Sequence, residues 1–274
     1  MFRAAIYHLR TGLLGSLLLA GFLFIGWNLG EAAGFGIAAA VLLGITLLIY
    51  FRADARVLRM HRAHRIEPAQ APGLYGLVRE LSRRAGVPVP AVYVIREPAA
   101  NAFAIGRTAR HGGIVVSTGL LNVLDRDELA AVIAHEVGHL RRGDTRLMTL
   151  LAAIASAGAL PSDRFAWLFA PFTALLIRAG VPGDREYCAD EDSARLIGDP
   201  SPLARALMKI EAGNSQRPLD TASPATAHLF ICNPLCLKGA ARLFQTHPAV
   251  TNRVERLDAL ARRPVVPPGL ARAQ

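Results

Sequence analysis

Residues 11–30 carry no charged side chain, residues 32–51 carry none either, and a single acid, Glu31, separates the two stretches. Each is about as long as the roughly 20-residue helix needed to cross a hydrocarbon core. Together they predict a transmembrane hairpin over 11–51 with a tight turn at its middle. A cleaved secretory leader is the alternative for the first stretch, because Arg3 and Arg10 precede an apolar run that ends near Ala32 and Ala33. The second full-length apolar stretch directly after it favours the hairpin. Two further apolar stretches, 147–162 and 165–177, are shorter and are divided by Asp163 and Arg164. They fit two thin or tilted membrane helices, a re-entrant or interfacial hairpin, or a buried helical pair, with membrane insertion preferred.

Between these segments the pattern changes to that of a folded domain. After Pro72, the residues Leu74, Leu77, Val78, Leu81 and Ala85 keep the 3.6-residue period, and Gly86 and Pro88 stop it. Residues 91–95 read as a short buried strand and 114–117 as a second one following the Gly112-Gly113 turn. Residues 101–110 are expected to reach back beside it as strand or loop. At 125–143, Asp125 and Glu128 form a capping box and Gly143 stands at the C-terminal cap, which marks a helix. Residues 184–198 read as another helix closing at a glycine. Short helical pieces follow, with a loop at 214–225.

Composition narrows the class. The chain has 274 residues, 52% of them hydrophobic and 19% charged, with mean hydropathy +0.31. These values exclude disorder and small disulfide scaffolds. The net charge is +10, but Lys209 and Lys238 are the only lysines, and an arginine bias of that kind gives little reason to expect nucleic acid as a partner. Arg3 and Arg10 flank one end of the hairpin and Arg52, Arg56, Arg59, Arg62 and Arg65 the other, so both ends are expected in the cytoplasm. On a helix over 52–66 those five arginines would share one face, turned toward anionic headgroups of the bilayer. Three cysteines, Cys188, Cys232 and Cys236, are too few for a disulfide framework and agree with a reducing compartment. The 232/236 pair has no second ligand pair nearby, and both read as small apolar residues.

The segment with chemistry lies on the capped helix. His135 and His139 stand four residues apart, so both imidazoles leave one face about one turn apart and can bind the same zinc ion. Glu136 beside them can take a proton from water at that ion without being a ligand. Two histidines leave zinc in need of one more protein ligand and an open position for water. Glu186 and Asp190 share a face of the 184–198 helix. Glu186 is assigned as third ligand and Asp190 as the carboxylate that fixes the tautomer of a ligand histidine.

With these residues in place the chain resembles the HtpX-like membrane-bound zinc peptidases, relatives of the CAAX prenyl proteases. The resemblance runs through nearly the whole chain: the N-terminal hairpin, Asn-Ala-Phe-Ala-Ile-Gly at 101–106, Ser-Thr-Gly-Leu-Leu at 117–121, His-Glu-Val-Gly-His at 135–139, Arg-Glu-Tyr-Cys-Ala-Asp at 185–190, Asn-Pro-Leu at 233–235 and Thr-His-Pro-Ala-Val-Thr-Asn-Arg-Val at 246–254. It implies a zinc-dependent endopeptidase of membrane protein quality control. By the same likeness His135, His139 and Glu186 correspond to the ligands of one zinc, and Glu136 to the catalytic base. Asn101, Ala102, Phe103 and Ala104 correspond to a substrate-binding edge for an extended peptide. His247 and Arg253 fall in the C-terminal block. Arg253 is expected to pair with Asp190, and His247 to stabilise the oxyanion.

The expected fold is thus α+β and mainly helical. A short N-terminus (1–10) precedes the transmembrane hairpin (11–51) and the basic helix (52–66). A zincin-like cytoplasmic catalytic domain with a small sheet follows in two parts, 67–146 and 181–263, interrupted by a hydrophobic helical hairpin (147–180) and ending in a tail (264–274). The expected location is the inner membrane, with polypeptides, membrane proteins above all, as substrates. Two rivals remain: a processing peptidase for one lipidated or membrane-anchored precursor, and a membrane scaffold whose zinc is structural.

Overall fold

The computed structural model describes residues 2–157, 177, 183–216, 219, 221–235 and 247–262, with side chains from residue 20 onward. It is mostly helical with one small mixed sheet. Helix α1, Phe2–Met60, is interrupted at Gly30 and Glu31, where Glu31 adopts φ 47°. Beyond this break the backbone of Gly34 lies against that of Gly26, and a Cβ on Gly26 would stand 2.6 Å from Ala38 Cβ. Residues eight apart in one straight helix would be about 12 Å apart, so the chain doubles back here and glycine is needed for the close approach. Phe24, Trp27, Leu29, Ile37, Leu43 and Phe51 are exposed along both arms. Among the described residues, Ala20–Met60 is the stretch long and apolar enough to cross a membrane.

Helix α1 stops at Met60, short of the 52–66 expected for the basic helix. Arg62 takes φ 49°, while Ala63 N–H donates to Leu58 O (2.9 Å) and Arg62 N–H to Arg59 O (3.1 Å). This is a Schellman closure with arginine in the left-handed position that glycine usually fills. The chain then turns into strand β1, His64–Arg65, so Arg62 and Arg65 leave the face shared by Arg52, Arg56 and Arg59.

Strand β1 pairs antiparallel with β2, Ala91–Ile95; β2 runs parallel to β4, Gly112–Ser117; and β4 pairs antiparallel with β3, Ala102–Gly106, in the order β1-β2-β4-β3. The side-chain alternation of these strands serves two cores. Val92, Ala104, Ile114 and Val116 face helices α2 (Pro72–Ala85), α3 (Thr118–Val123) and α4 (Arg126–Arg142), whereas Phe103, Ile105 and Val115 pack with Val57 of α1 and Met148 of α5 (Asp144–Ala157). Helices α6 (Asp184–Ile197), α7 (Ser201–Gln216) and α8 (Val250–Ala261) complete the first core.

The first turns of the expected 147–180 hairpin belong to α5, with Met148, Leu151, Ala152 and Ala155 buried. Residues 158–176 and 178–182, Cys236 and the tail 264–274 lie outside the described residues.

Candidate metal centre

Helix α4 is fixed at both ends before it presents any chemistry. Asp125 Oδ1 accepts from the N–H groups of Asp127 (2.9 Å) and Glu128 (2.8 Å), and Glu128 Oε2 accepts from Asp125 N–H (3.0 Å). The same Glu128 is tied to Lys209 of α7 at 2.7 Å. At the other end Gly143 adopts φ 74°, the left-handed cap. Between these caps the helix is buried from Ala131 to Leu140.

Helix α6 lies against it at a glycine. A Cβ on Gly138 would stand 3.2 Å from Asp192 Cβ, tight for a carbon contact. Ser193 Oγ donates to Ala131 O (2.7 Å), and Arg141 and Arg142 reach Asp192 at 2.6 and 2.7 Å. This contact sets Glu186 over the two histidines. His135 Nε2 and His139 Nε2 are 3.1 Å apart, and each lies 3.6 Å from a Glu186 oxygen.

The opposite ring nitrogens face other carboxylates. His139 Nδ1 donates to Asp144 Oδ2 at 3.2 Å. His135 Nδ1 lies 3.0 Å from Asp190 Oδ1, off the line of a straight hydrogen bond, so that attraction is chiefly electrostatic. Carboxylates on that side hold the ring protons there and leave both Nε2 lone pairs facing one another and Glu186. Two acceptors at 3.1 Å beside a carboxylate repel unless a cation sits among them. Without such a cation the same negative charge draws a proton instead: burial alone would lower the His135 pKa, but Asp190 and Glu186 outweigh it and push it up to about 9. Among the described residues, His135, His139 and Glu186 are the group whose ligand atoms converge, all within 4.8 Å of one another. The donor set therefore fits a metal ion, and two imidazoles with one carboxylate suit zinc.

Glu136 is 1% exposed, and neither carboxylate oxygen has a hydrogen-bond partner among the described residues. Burial raises its pKa, against the pull of the histidines. For Glu186 burial also acts upward, but His247, His135 and Arg253 hold it well below the usual carboxylate range. Arg253, fully buried, grips Asp190 with two nitrogens (2.6 and 2.9 Å), donates to Ile231 O (2.6 Å) and comes within 3.3 Å of Glu186 Oε2. His247 reaches the same site, with Nδ1 3.5 Å from Glu186 Oε1 and Nε2 3.4 Å from Ala227 O.

The family model described as Peptidase family M48 matches residues 68–261. The chain belongs to this family of metallopeptidases. It is 36% identical to a protease HtpX homolog of Thermodesulfovibrio yellowstonii, over 94% of this chain and all of that one, and 39% identical to a protease HtpX homolog of Pyrococcus abyssi, over 92% and 96%. The crystal structure of S. mikatae Ste24p shares the fold at TM-score 0.50 and 17% identity, over 94% of this chain and 67% of that chain.

One expectation for this M48 peptidase changes. Strand β3 is an edge of the four-stranded sheet, yet its outer side is taken by the chain itself. Phe103 forms an antiparallel bridge with Phe230, and Ile231 N–H donates to Ala102 O (2.9 Å). Asn101 Nδ2 donates to Cys232 O (2.9 Å), and its Oδ1 accepts from the N–H groups of Ala102 (3.1 Å) and Cys232 (3.4 Å). A peptide cannot add at 101–103 while residues 230–232 hold those groups. The edge is covered because Phe103, Phe230 and His61 stack in the core behind it, with ring centroids 4.8 to 5.3 Å apart. Cys232 is buried there, its thiol pushed up to about 12, as a small apolar residue would be.

Two residues were not foreseen from the sequence. Asp144 accepts from His139 Nδ1, and Arg185 Nη1 lies 3.5 Å from the same Asp144. The available signal was an acid immediately after the glycine cap that closes the metal helix.

Proposed function

We propose that this M48 chain is a zinc endopeptidase embedded in the membrane by the two arms of α1, with His135, His139 and Glu186 as zinc ligands and Glu136 as general base. The observation that carries it is the pair of Nε2 atoms turned toward each other and toward Glu186, beside the buried Glu136 carboxylate, which has no hydrogen-bond partner among the described residues. Zinc held there supplies a Lewis acid that polarises a carbonyl and lowers the pKa of water. Glu136, its basicity raised by burial, accepts the proton of the water that attacks the scissile carbonyl and returns it to the leaving amine. His247, on the Glu186 side of the site, donates to the oxygen on which negative charge develops. Asp190 and Arg253 hold His135 and Glu186 in register.

The apolar arms of α1 favour membrane insertion, and the arginines flanking both ends favour cytoplasmic termini with the catalytic domain on that side. Arg52, Arg56 and Arg59 then lie where anionic headgroups begin. The likeness to HtpX proteases supports misfolded or damaged membrane proteins as substrates. Because 230–232 covers the start of β3, an extended substrate would have to meet this edge beyond Phe103.

Metal analysis after single substitutions tests the ligand set. His135→Ala, His139→Ala and Glu186→Ala are each expected to lose stoichiometric zinc and casein cleavage together. Full zinc retention in any one of them would remove that residue from the set.

A further inference from the structure

Asp144 stands at a junction that the metal helix alone does not explain. Helix α4 ends in the left-handed Gly143, and α5 begins at the next residue, Asp144. The turn returns the Asp144 carboxylate to the last turn of α4, where Oδ2 accepts from His139 Nδ1 at 3.2 Å. Its other oxygen, Oδ1, faces Arg185 Nη1 at 3.5 Å. Arg185 precedes Glu186 on α6, and its Nη1 is buried without a hydrogen-bond partner among the described residues. One carboxylate therefore touches a histidine of α4 on one side and, on the other, the residue next to the carboxylate ligand of α6.

The second histidine has a matching arrangement of different strength. His135 faces Asp190, which Arg253 grips with two nitrogens in a fully buried site. The Asp144–Arg185 pair has one longer contact, and its side chains are 11% and 23% exposed. Each histidine thus faces a carboxylate backed by an arginine, and the His139 side is the looser of the two.

We propose that Asp144 is a positioning residue of the metal centre: it holds His139 as the Nδ1–H tautomer with Nε2 toward His135 and Glu186, and through Arg185 it ties that orientation to the seating of Glu186. The proposal rests on the zinc reading given above. The competing role for Asp144 is that of an acid at the start of α5, favoured by the helix dipole alone. That role predicts an effect on stability and none on the metal.

The test follows zinc release from the folded, detergent-purified full chain to a chromogenic chelator, alongside the visible spectrum of the cobalt-exchanged protein. Asp144→Ala should weaken zinc binding about 10- to 100-fold, the usual effect of removing such a partner, and should alter the cobalt bands. Asp144→Asn, which keeps an acceptor for Nδ1–H and loses the charge, should fall between Ala and wild type; it also serves if the alanine variant fails to fold. Arg185→Gln should shift release in the same direction by a smaller factor. A folded Asp144→Ala or Asp144→Asn protein with wild-type zinc release and cobalt bands overturns the positioning role, even if its melting temperature falls. A wild type without stoichiometric metal overturns the zinc reading along with it.

Discussion

Arg253 is a cation with no exposed surface, held by Asp190, Glu186 and the Ile231 carbonyl. Burial would lower its pKa, but the two carboxylates outweigh that and keep it raised. Its removal leaves two buried carboxylates short of their counter-charge. Arg253→Ala is therefore expected to cost about 3–5 kcal/mol, the range for breaking a buried pair, read from the unfolding midpoint in denaturant. Arg253→Lys keeps the charge and lacks the planar fork, so it should recover only part of the loss. A wild-type midpoint for Arg253→Ala would refute the structural role. His135, Glu136 and His139 were legible in the sequence because helical spacing alone puts two imidazoles on one face. Glu186 and Asp190 were legible only once those histidines demanded a third ligand. Asp144 escaped because its role depends on how the chain turns at Gly143, which spacing along a straight helix does not reveal.

Glycine marks where two elements come closest. At Gly138 the backbone of α4 admits α6, and Gly138→Ala sets a new carbon 3.2 Å from Asp192 Cβ. The expected result is a small outward shift of α6 that carries Glu186 with it, with a stability loss of about 1–3 kcal/mol as for other overpacking substitutions and faster zinc release. Unchanged zinc release would show that α6 does not set the distance to Glu186. Arg62 presents the reverse case, an arginine where the Schellman closure prefers glycine. Arg62→Gly should leave the thermal midpoint unchanged or raise it, within about 1 kcal/mol; a clear fall would show that the arginine side chain outweighs its backbone strain. The capped helices and the 91–95 and 114–117 strands could be read from local pattern. The cover over β3 could not, since Asn101 meets Cys232 across 131 residues, and a two-residue strand such as β1 is too short to show a period. Helix α5 is the buried start of the expected hydrophobic hairpin, and composition alone does not separate a helix buried in a protein core from a short membrane helix.

Through α5 the molecule joins its apolar N-terminal helix to the buried candidate metal site. Arg56 of α1 donates to Ser156 O at 3.0 Å, Asp54 pairs with Arg107 at 3.1 Å, and the first residue of α5 orients His139. The same core contains two histidines outside the metal site, His61 and His228, whose pKa values burial lowers to about 4. An unfolded histidine titrates near 6.5, so between about 6.5 and 4 the unfolded chain binds more protons than the native one. Stability from these two groups is fully present above that window and is lost as pH falls through it. His228→Gln, which keeps a donor for Met148 O, should narrow the difference in melting temperature between pH 7 and pH 5; an unchanged difference would mean that His228 takes up a proton as readily in the fold as in the unfolded chain. In the proposed mechanism a metal and Glu136 act together at one site. It is tested most directly by measuring zinc content and casein cleavage side by side on detergent-purified wild type and Glu136→Gln. One zinc per chain is expected in both proteins, with cleavage reduced about 10²- to 10⁴-fold in the variant. Cleavage at the wild-type rate by Glu136→Gln, or a cleaving wild type without metal, would contradict it.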